Sequence, residues 1–377
     1  ITERVKRFVR GGQITTEKEL IRSIKRMNRK AGHKNPYKIC NIPYPYRSER
    51  QNTLVIGSTG QGKTQLISDI VEQIRKRGDK VVIYDKKGDY LNHFYQRGKD
   101  HILNPFDTRS EKWNILKEID HEGVIKTLAE SFIPDRGARG GEGKVWEDAA
   151  RLAFTEIVKK TLKECKDFSN QELLDLVLKS NLSELAEYVK QTNAQGIINM
   201  TADKAAASVV FVLGSHLNSL GLSKGKKEES FSIKDWMKEE DGSALFITSQ
   251  ARFESELSAL QTAWFEIVIS NILSKEQNSG NTWVIMDELA SLKKIPSLHR
   301  ALSAARSYGG CFILGLQNIS QLQDIYGHHN AGSISAECNT RCIFKSNDPE
   351  TAKWASQNIG DEEIIESNRS LSYGAHE

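Results

Sequence analysis

Eight consecutive residues pose the first chemical question: Gly57-Ser58-Thr59-Gly60-Gln61-Gly62-Lys63-Thr64, a full match to the pattern G-x-x-x-x-G-K-[ST]. Glycines at that spacing let successive backbone N–H groups turn inward around phosphate oxygens. A helix starting there adds the partial positive charge of its N-terminus. Lys63 would neutralise the β- and γ-phosphates of ATP, and Thr64 would ligate Mg²⁺. Hydrolysis needs a second, acidic element. Trp283-Val284-Ile285-Met286-Asp287-Glu288 offers one, because four apolar residues deliver two carboxylates to a strand end. Asp287 would hold Mg²⁺ directly or through water, and Glu288 would polarise the attacking water as general base.

Two later residues are candidates to complete the site. Gln317 follows an apolar strand and could sense the γ-phosphate or orient water; the plainer reading is an amide capping the helix that begins near Asn318. Arg306 stands just before Ser307-Tyr308-Gly309-Gly310. It could point across a subunit boundary and stabilise transition-state charge in a neighbouring site, an effect worth ~10³–10⁵ in rate. It could equally compensate a helix dipole, and position alone favours that reading.

These residues need a scaffold. Thr53–Gly57 reads as an apolar strand entering the Gly-rich turn. Thr64–Arg77 reads as a helix, with Leu66, Ile67, Ile70, Val71 and Ile74 on one side. Lys80–Asp85 and Ile102–Leu103 read as further strands, which makes a βαβ unit with parallel pairing. The α/β alternation resumes later. Strands are expected at Ala244–Thr248, Thr282–Met286, Cys311–Leu316 and Arg341–Lys345, and helices at Leu257–Leu273, Pro296–Ser307 and Pro349–Asn358. No final strand is obvious before Glu377, so the chain reads as a fragment.

Between the two α/β stretches the strand-like runs vanish. Helical periods cover Trp146–Lys163, Asn170–Lys179, Leu182–Lys190 and Asp203–Leu220, an all-α insertion. The Gly- and Arg-rich segment Asp135–Gly143 reads as a mobile loop. Residues 1–33 form a basic segment with a helix over Thr16–Arg29, and Asn35–Arg50 reads as an extended, proline-rich connector. The nucleotide-binding fold then occupies 34–122 and 223–377, interrupted by the helical insertion at 123–222.

Composition limits the alternatives. The 377 residues are 38% hydrophobic and 27% charged, enough for one large core. No apolar run approaches the ~20 residues of a membrane helix, and no secretory signal is visible. The five cysteines are odd in number and scattered. Cys338 and Cys342 are the one close pair, and they lack the further ligands of a zinc site; all five read as reduced thiols of a cytoplasmic protein. The formal charge is +4, but residues 1–50 hold 14 Lys and Arg against 4 Asp and Glu, a balance of +10, leaving 4 − 10 = −6 for the rest. Such a stretch fits nucleic acid or an anionic membrane surface, or simply a solvated helix face.

Together with the P-loop, several further segments resemble one family. They are Val82-Ile83-Tyr84-Asp85-Lys86-Lys87-Gly88-Asp89, Leu103-Asn104-Pro105-Phe106-Asp107 with Trp113-Asn114, Met286-Asp287-Glu288, Ala305 to Cys311, Gly315-Leu316-Gln317 and Gln321 to Gly327. The chain is similar, from about Lys34 to Gly374, to the type IV coupling proteins, especially the TraD-like branch of conjugative plasmids. The resemblance implies a RecA-like P-loop NTPase fold, α/β with a central mostly parallel sheet flanked by helices, related to the FtsK and HerA translocases and carrying an inserted all-α domain.

It also implies homo-hexameric rings that hydrolyse ATP with Mg²⁺ and move a relaxase–single-stranded DNA complex into a type IV secretion channel at the bacterial inner membrane. The arginine matching Arg306 would act in trans, and the glutamine matching Gln317 would face the nucleotide. Some members use an arginine just before the P-loop strand. Gln51 holds that place here with Arg50 beside it, so that role stays open.

The family's paired membrane helices have no counterpart in this sequence. Residues 1–12 look like the basic cytoplasmic flank that would follow such an anchor. The closing C-terminal strand and acidic tail also have no counterpart. A motor for double-stranded DNA like FtsK or HerA, and a docking receptor with little hydrolysis of its own, are the alternatives. Asp135–Gly143 and Ser223–Glu229 are candidate DNA-contacting loops, with solvated surface loops as the plainer reading.

Overall fold

The computed structural model describes residues 4–12, 14–134, 141–164, 167–179, 182–198 and 203–368. Its first strand, β1 (Arg4–Gly11), precedes helix α1 (Glu17–Lys30). Thr16 and Glu19 form a reciprocal capping box that satisfies two of the free N–H groups at the start of α1. A small hairpin follows, β2 (Lys38–Ile39) and β3 (Ile42–Pro43). The supposed connector is therefore a packed cover. Tyr37, Ile39 and Tyr44 are buried, the Tyr44 hydroxyl lies 2.8 Å from that of Thr53, and the Arg77 guanidinium sits 3.6 Å over the Tyr37 ring.

The sheet begins with β4 (Thr53–Ile56), followed by α2 (Lys63–Arg77), β5 (Lys80–Asp85), α3 (Asp89–Phe94) and β6 (His101–Leu103). A helical block comes next: α4 (Glu122–Phe132), α5 (Gly141–Glu164), α6 (Asn170–Leu178), α7 (Leu182–Tyr188) and α8 (Asp203–Leu217). A short α9 (Ile233–Trp236) then leads to β7 (Ala244–Thr248), α10 (Glu254–Leu273) and β8 (Thr282–Met286). The remaining elements are α11 (Leu298–Ala304), β9 (Gly310–Leu316), α12 (Ile319–Tyr326), α13 (His328–Ala336), β10 (Thr340–Ile343), α14 (Pro349–Ile359) and β11 (Glu362–Asn368).

Seven strands form one sheet in the order β10-β4-β9-β8-β5-β7-β6, every neighbouring pair parallel. Helices cover both faces, which is why the inner strands read as continuous apolar runs. Alternate residues still divide between two cores. Val82, Tyr84, Val284, Met286 and Leu314 pack with α10 and the helical block, whereas Val81, Ile83, Trp283, Ile285 and Ile313 pack with α2.

Both crossings into the helical block are tied by one polar knot. The buried Glu118 carboxylate accepts from Trp113 Nε1 at 2.9 Å, Ile233 N at 2.7 Å and Lys234 N at 2.9 Å. Asn170 Nδ2 donates to the carbonyls of Trp113 and Ser223, and Asn114 Nδ2 to those of Phe168 and Gly225. Ser223 to Gly225 thus belong to this root and are not a free DNA-contacting loop, although Lys224 and Lys226 remain exposed. Trp113-Asn114, part of the family-like pattern, serves architecture here.

Several expectations are corrected. A C-terminal strand does exist: β11 pairs antiparallel with β1, so the basic segment at the start of the chain is a paired strand. Gly141–Gly143 begin α5 instead of extending the Gly-rich loop, whose other residues, 135–140, lie outside those described. The helix predicted to Ser307 ends at Ala304 and tightens into a 3₁₀ turn over Ala305–Tyr308, closed by Gly309 at φ 83°. One segment, Lys204–Leu222, is long and apolar enough to cross a membrane by length and composition. Its stripe of Ala206, Val209, Leu213, Leu217 and Leu220 is buried, mainly against α5 and α6, at the spacing of one helix face.

Candidate nucleotide site

β4 runs into the loop Gly57–Gly62 and then α2, so the loop forms at the carboxyl end of a central strand. Gly60 and Gly62 take φ of +79° and +99°, a region that costs an L side chain about 1–2 kcal/mol. Gly57 is needed for a different reason: a Cβ there would lie 2.5 Å from Phe344 Cβ. No side chain caps α2, whose N-cap is Gly62. Its first N–H groups are therefore free for an anion. Lys63 is buried and folds back to donate to the carbonyls of Gly57 and Ser58. Burial holds its ammonium below the usual lysine range, opposed by the charges of Glu288 and Asp287.

The acidic pair arrives from β8, which is separated from β4 by β9 alone. Asp287 Oδ2 accepts from Thr64 Oγ1 at 3.3 Å, joining the two motifs. The backbone of Asp287 leans on β9: a Cβ at Gly315 would stand 2.1 Å from Asp287 O, so only glycine fits there. Glu288 accepts from Gln317 Nε2 at 2.8 Å, while its other oxygen is buried without a partner. Burial raises the pKa of both carboxyls. For Asp287 this is offset by Tyr90, Thr64 and Lys63, and for Glu288 by Gln317 and Lys63.

This donor set fits ATP and Mg²⁺. One hydroxyl and one carboxylate at a phosphate cradle are the protein's usual share of a Mg²⁺ site, since Mg²⁺ keeps several waters and takes phosphate oxygens. The unpartnered Glu288 oxygen is a built acceptor for a water proton.

Sequence reasoning missed two supports. Tyr90, on α3, is 1% exposed and brings its hydroxyl beside Asp287 and Thr64, without a well-aligned hydrogen bond. Burial, together with the Asp287 charge, raises its pKa. Asp85 anchors the loop that presents Tyr90, accepting from Gly88 N at 2.8 Å, Asp89 N at 3.1 Å and Leu91 N at 2.7 Å.

Lys63, Thr64, Asp287, Glu288 and Gln317 therefore meet, and Arg306 does not join them. It lies on the 3₁₀ turn before β9, whereas Gln317 lies after it. Seven residues of strand put the two ends about 23 Å apart. Arg306 is exposed and lines a cavity of about 170 Å³ with Arg47, Arg50, Gln277, Asn278 and Ser307. Arg50 is committed to Asn281 Oδ1 and Ser279 O, both at 2.9 Å, and Gln51 Oε1 accepts from Asn339 at 2.9 Å.

Residues 36–377 match the model of the type IV secretion-system coupling protein DNA-binding domain. The coupling protein TraD of Escherichia coli K12 is 31% identical over 97% of this chain and 51% of its own length. A conjugal transfer protein TraG of Escherichia coli is 23% identical over 86% of the chain and 57% of its own length. The chain thus spans about half the length of these relatives. The plasmid coupling protein TrwB in complex with the non-hydrolysable ATP analogue ADPNP superposes with a TM-score of 0.86 at 31% identity, covering 96% of this chain and 86% of that one. TrwB with ADP and Mg²⁺ superposes at 0.85 with 30% identity, covering 95% and 86%.

Proposed function

Because the chain belongs to the type IV secretion-system coupling protein family, we propose that it is the ATP-hydrolysing motor region of a conjugative coupling protein. It works in a homo-hexamer at the cytoplasmic face of the inner membrane and passes a relaxase–single-stranded DNA complex to a secretion channel. The observation that carries this reading is the split of its machinery. A phosphate cradle, a Mg²⁺ carboxylate and a general base converge at one end of β9, while an arginine without a carboxylate partner among the described residues sits at the other. One copy cannot use both ends on one nucleotide. Neighbours in a ring can.

The division of labour follows from the geometry. ATP supplies the phosphoanhydride bond that hydrolysis breaks, with Thr64 and Asp287 as the residues that would hold Mg²⁺. The N–H groups around Gly60 to Lys63 orient the phosphates. Lys63 exchanges its two carbonyl partners for phosphate oxygens. Glu288, held by Gln317, takes a proton from water on its unpartnered oxygen. Arg306 from the adjacent copy neutralises charge as it develops. The helical block at 123–222 is proposed as a separate domain facing incoming substrate.

The test is ATP hydrolysis with and without single-stranded DNA over a range of protein concentrations, beside Lys63→Ala. Stimulation by DNA, a faster than linear rise with concentration and loss in the variant are expected. Activity per copy that is independent of concentration would refute the shared site. Hydrolysis absent under every condition, with the flanking segments of the longer relatives restored, would favour a docking receptor.

A further inference from the structure

A second cationic feature lies outside the nucleotide site. Helix α1 and the hairpin β2–β3 enclose a cavity of about 760 Å³, within the ~300–1,000 Å³ of pockets that take organic ligands. Lys25 and Arg29 enter from α1, Lys34 and Lys38 from the loop and hairpin. No Asp or Glu lines it, and none of these four cations forms an ion pair among the described residues. Ile21 and Pro43 give it apolar wall. Its depth holds a built polar group: Asn28 is 3% exposed, its Nδ2 donates to Tyr44 O at 2.9 Å, and its Oδ1 has no partner.

An uncompensated buried acceptor costs about 1–3 kcal/mol, so this amide is suited to a ligand that brings a donor. Cations at the rim suit phosphate, an apolar wall suits a ring face, and the buried carbonyl suits an N–H on a base edge. We propose that this groove binds single-stranded nucleic acid, with phosphates on Lys25, Arg29 and Lys34 and a base against Ile21 and Pro43 within reach of Asn28. Lipid headgroups share the phosphate but bring acyl chains for which the groove offers only a narrow apolar wall. The inference rests on the DNA-motor reading and adds a contact beside the C-terminal half of α2, away from the helix N-terminus that faces the nucleotide, largely ahead of the residues matched by the family model.

The experiment is fluorescence anisotropy of a labelled oligothymidylate with the full chain and with Lys25→Ala/Arg29→Ala, from 50 to 200 mM salt. Both side chains are exposed and make no side-chain hydrogen bond among the described residues. Two lost phosphate contacts should flatten the log–log salt slope by about 1.4 and weaken binding about tenfold at low salt. Crosslinking of a 4-thiothymidine oligonucleotide to the unmutated chain should label residues 21–43, a readout that no folding defect can mimic. Unchanged slope and affinity with no label there overturn the groove while leaving the motor intact. Loss of cosedimentation with phosphatidylglycerol vesicles at unchanged DNA affinity overturns it in favour of lipid. Failure of the unmutated chain to bind any single strand sinks the DNA-motor reading as well, which separates the two failures.

Discussion

The two ends of the parallel sheet differ in how charge is balanced. At the carboxyl ends, Lys63 lies in the field of Asp287 and Glu288, Lys86 pairs with Glu254 at 2.7 Å, and Glu288 is bound to Gln317. At the amino ends, Arg47, Arg50 and Arg306 share a cavity and none of them pairs with a carboxylate among the described residues. Arg47 and Arg50 are at least held by neutral oxygens, whereas Arg306 has no hydrogen-bond partner among the described residues. This cavity is a local exception at that end, where Arg75 pairs with Asp100 and Lys80 with Asp241, and its Arg306 is the cation that the proposed contact between copies would use.

That contrast can be broken most severely at Arg306. Arg306→Ala should lower kcat for ATP hydrolysis by ~10³ or more. Mixing it with Lys63→Ala should restore part of the rate, because each copy supplies what its neighbour lacks. A loss that mixing never rescues, or no loss at all, would reduce Arg306 to a cation at a helix end.

A smaller effect tests how self-sufficient the carboxyl end is. Tyr90→Phe should raise the Mg²⁺ concentration for half-maximal hydrolysis by about tenfold, the range of lost outer-shell support, with little change in rate at saturating Mg²⁺. An unchanged Mg²⁺ requirement would make Tyr90 a packing residue only.

The smallest effect lies in the core between the two regions. Burial pushes the Glu266 carboxyl up to about 7; one oxygen accepts from Ser297 N at 3.1 Å and the other has no partner. The unfolded carboxyl releases its proton near 4.5. Its contribution to stability is therefore fully present below about pH 4.5 and is lost as the pH rises through about 7. Glu266→Gln should lose this dependence, melting about 3 °C higher than the unmutated chain at pH 8 and about equally at pH 5. Parallel melting curves at both pH values would show that Glu266 does not titrate on unfolding.

Legibility in the sequence followed the locality of each signal. The P-loop was plain because its cradle is built from consecutive residues. Asp287 and Glu288 were plain because Thr282–Met286 is an apolar strand that delivers them directly to its end. Tyr90 was hidden because its relation to Asp287 exists only through the pairing of β5 with β8. β11 was hidden because Glu362–Asn368 is mostly polar and its partner β1 stands at the other end of the chain. The hairpin β2–β3 was masked by prolines, which read as connector until Tyr37 and Tyr44 are seen to be buried. The apolar character of Lys204–Leu222 is hard to see in the sequence because Lys204, Ser208, Gly214 and His216 break its run.

The polar knot at Trp113, Glu118, Asn170 and Ser223 has an evolutionary consequence. A long excursion that leaves and rejoins the sheet at one clasped point behaves as a cassette. Closure entropy grows only slowly with loop length, about 0.6 kcal/mol for each doubling, so the clasp spares the strands from sensing how much chain lies beyond it. Chain can be added or trimmed in the turns beyond α4, which itself packs on α10, while the parallel strands keep their register. The insertion is then free to diversify independently of the nucleotide site.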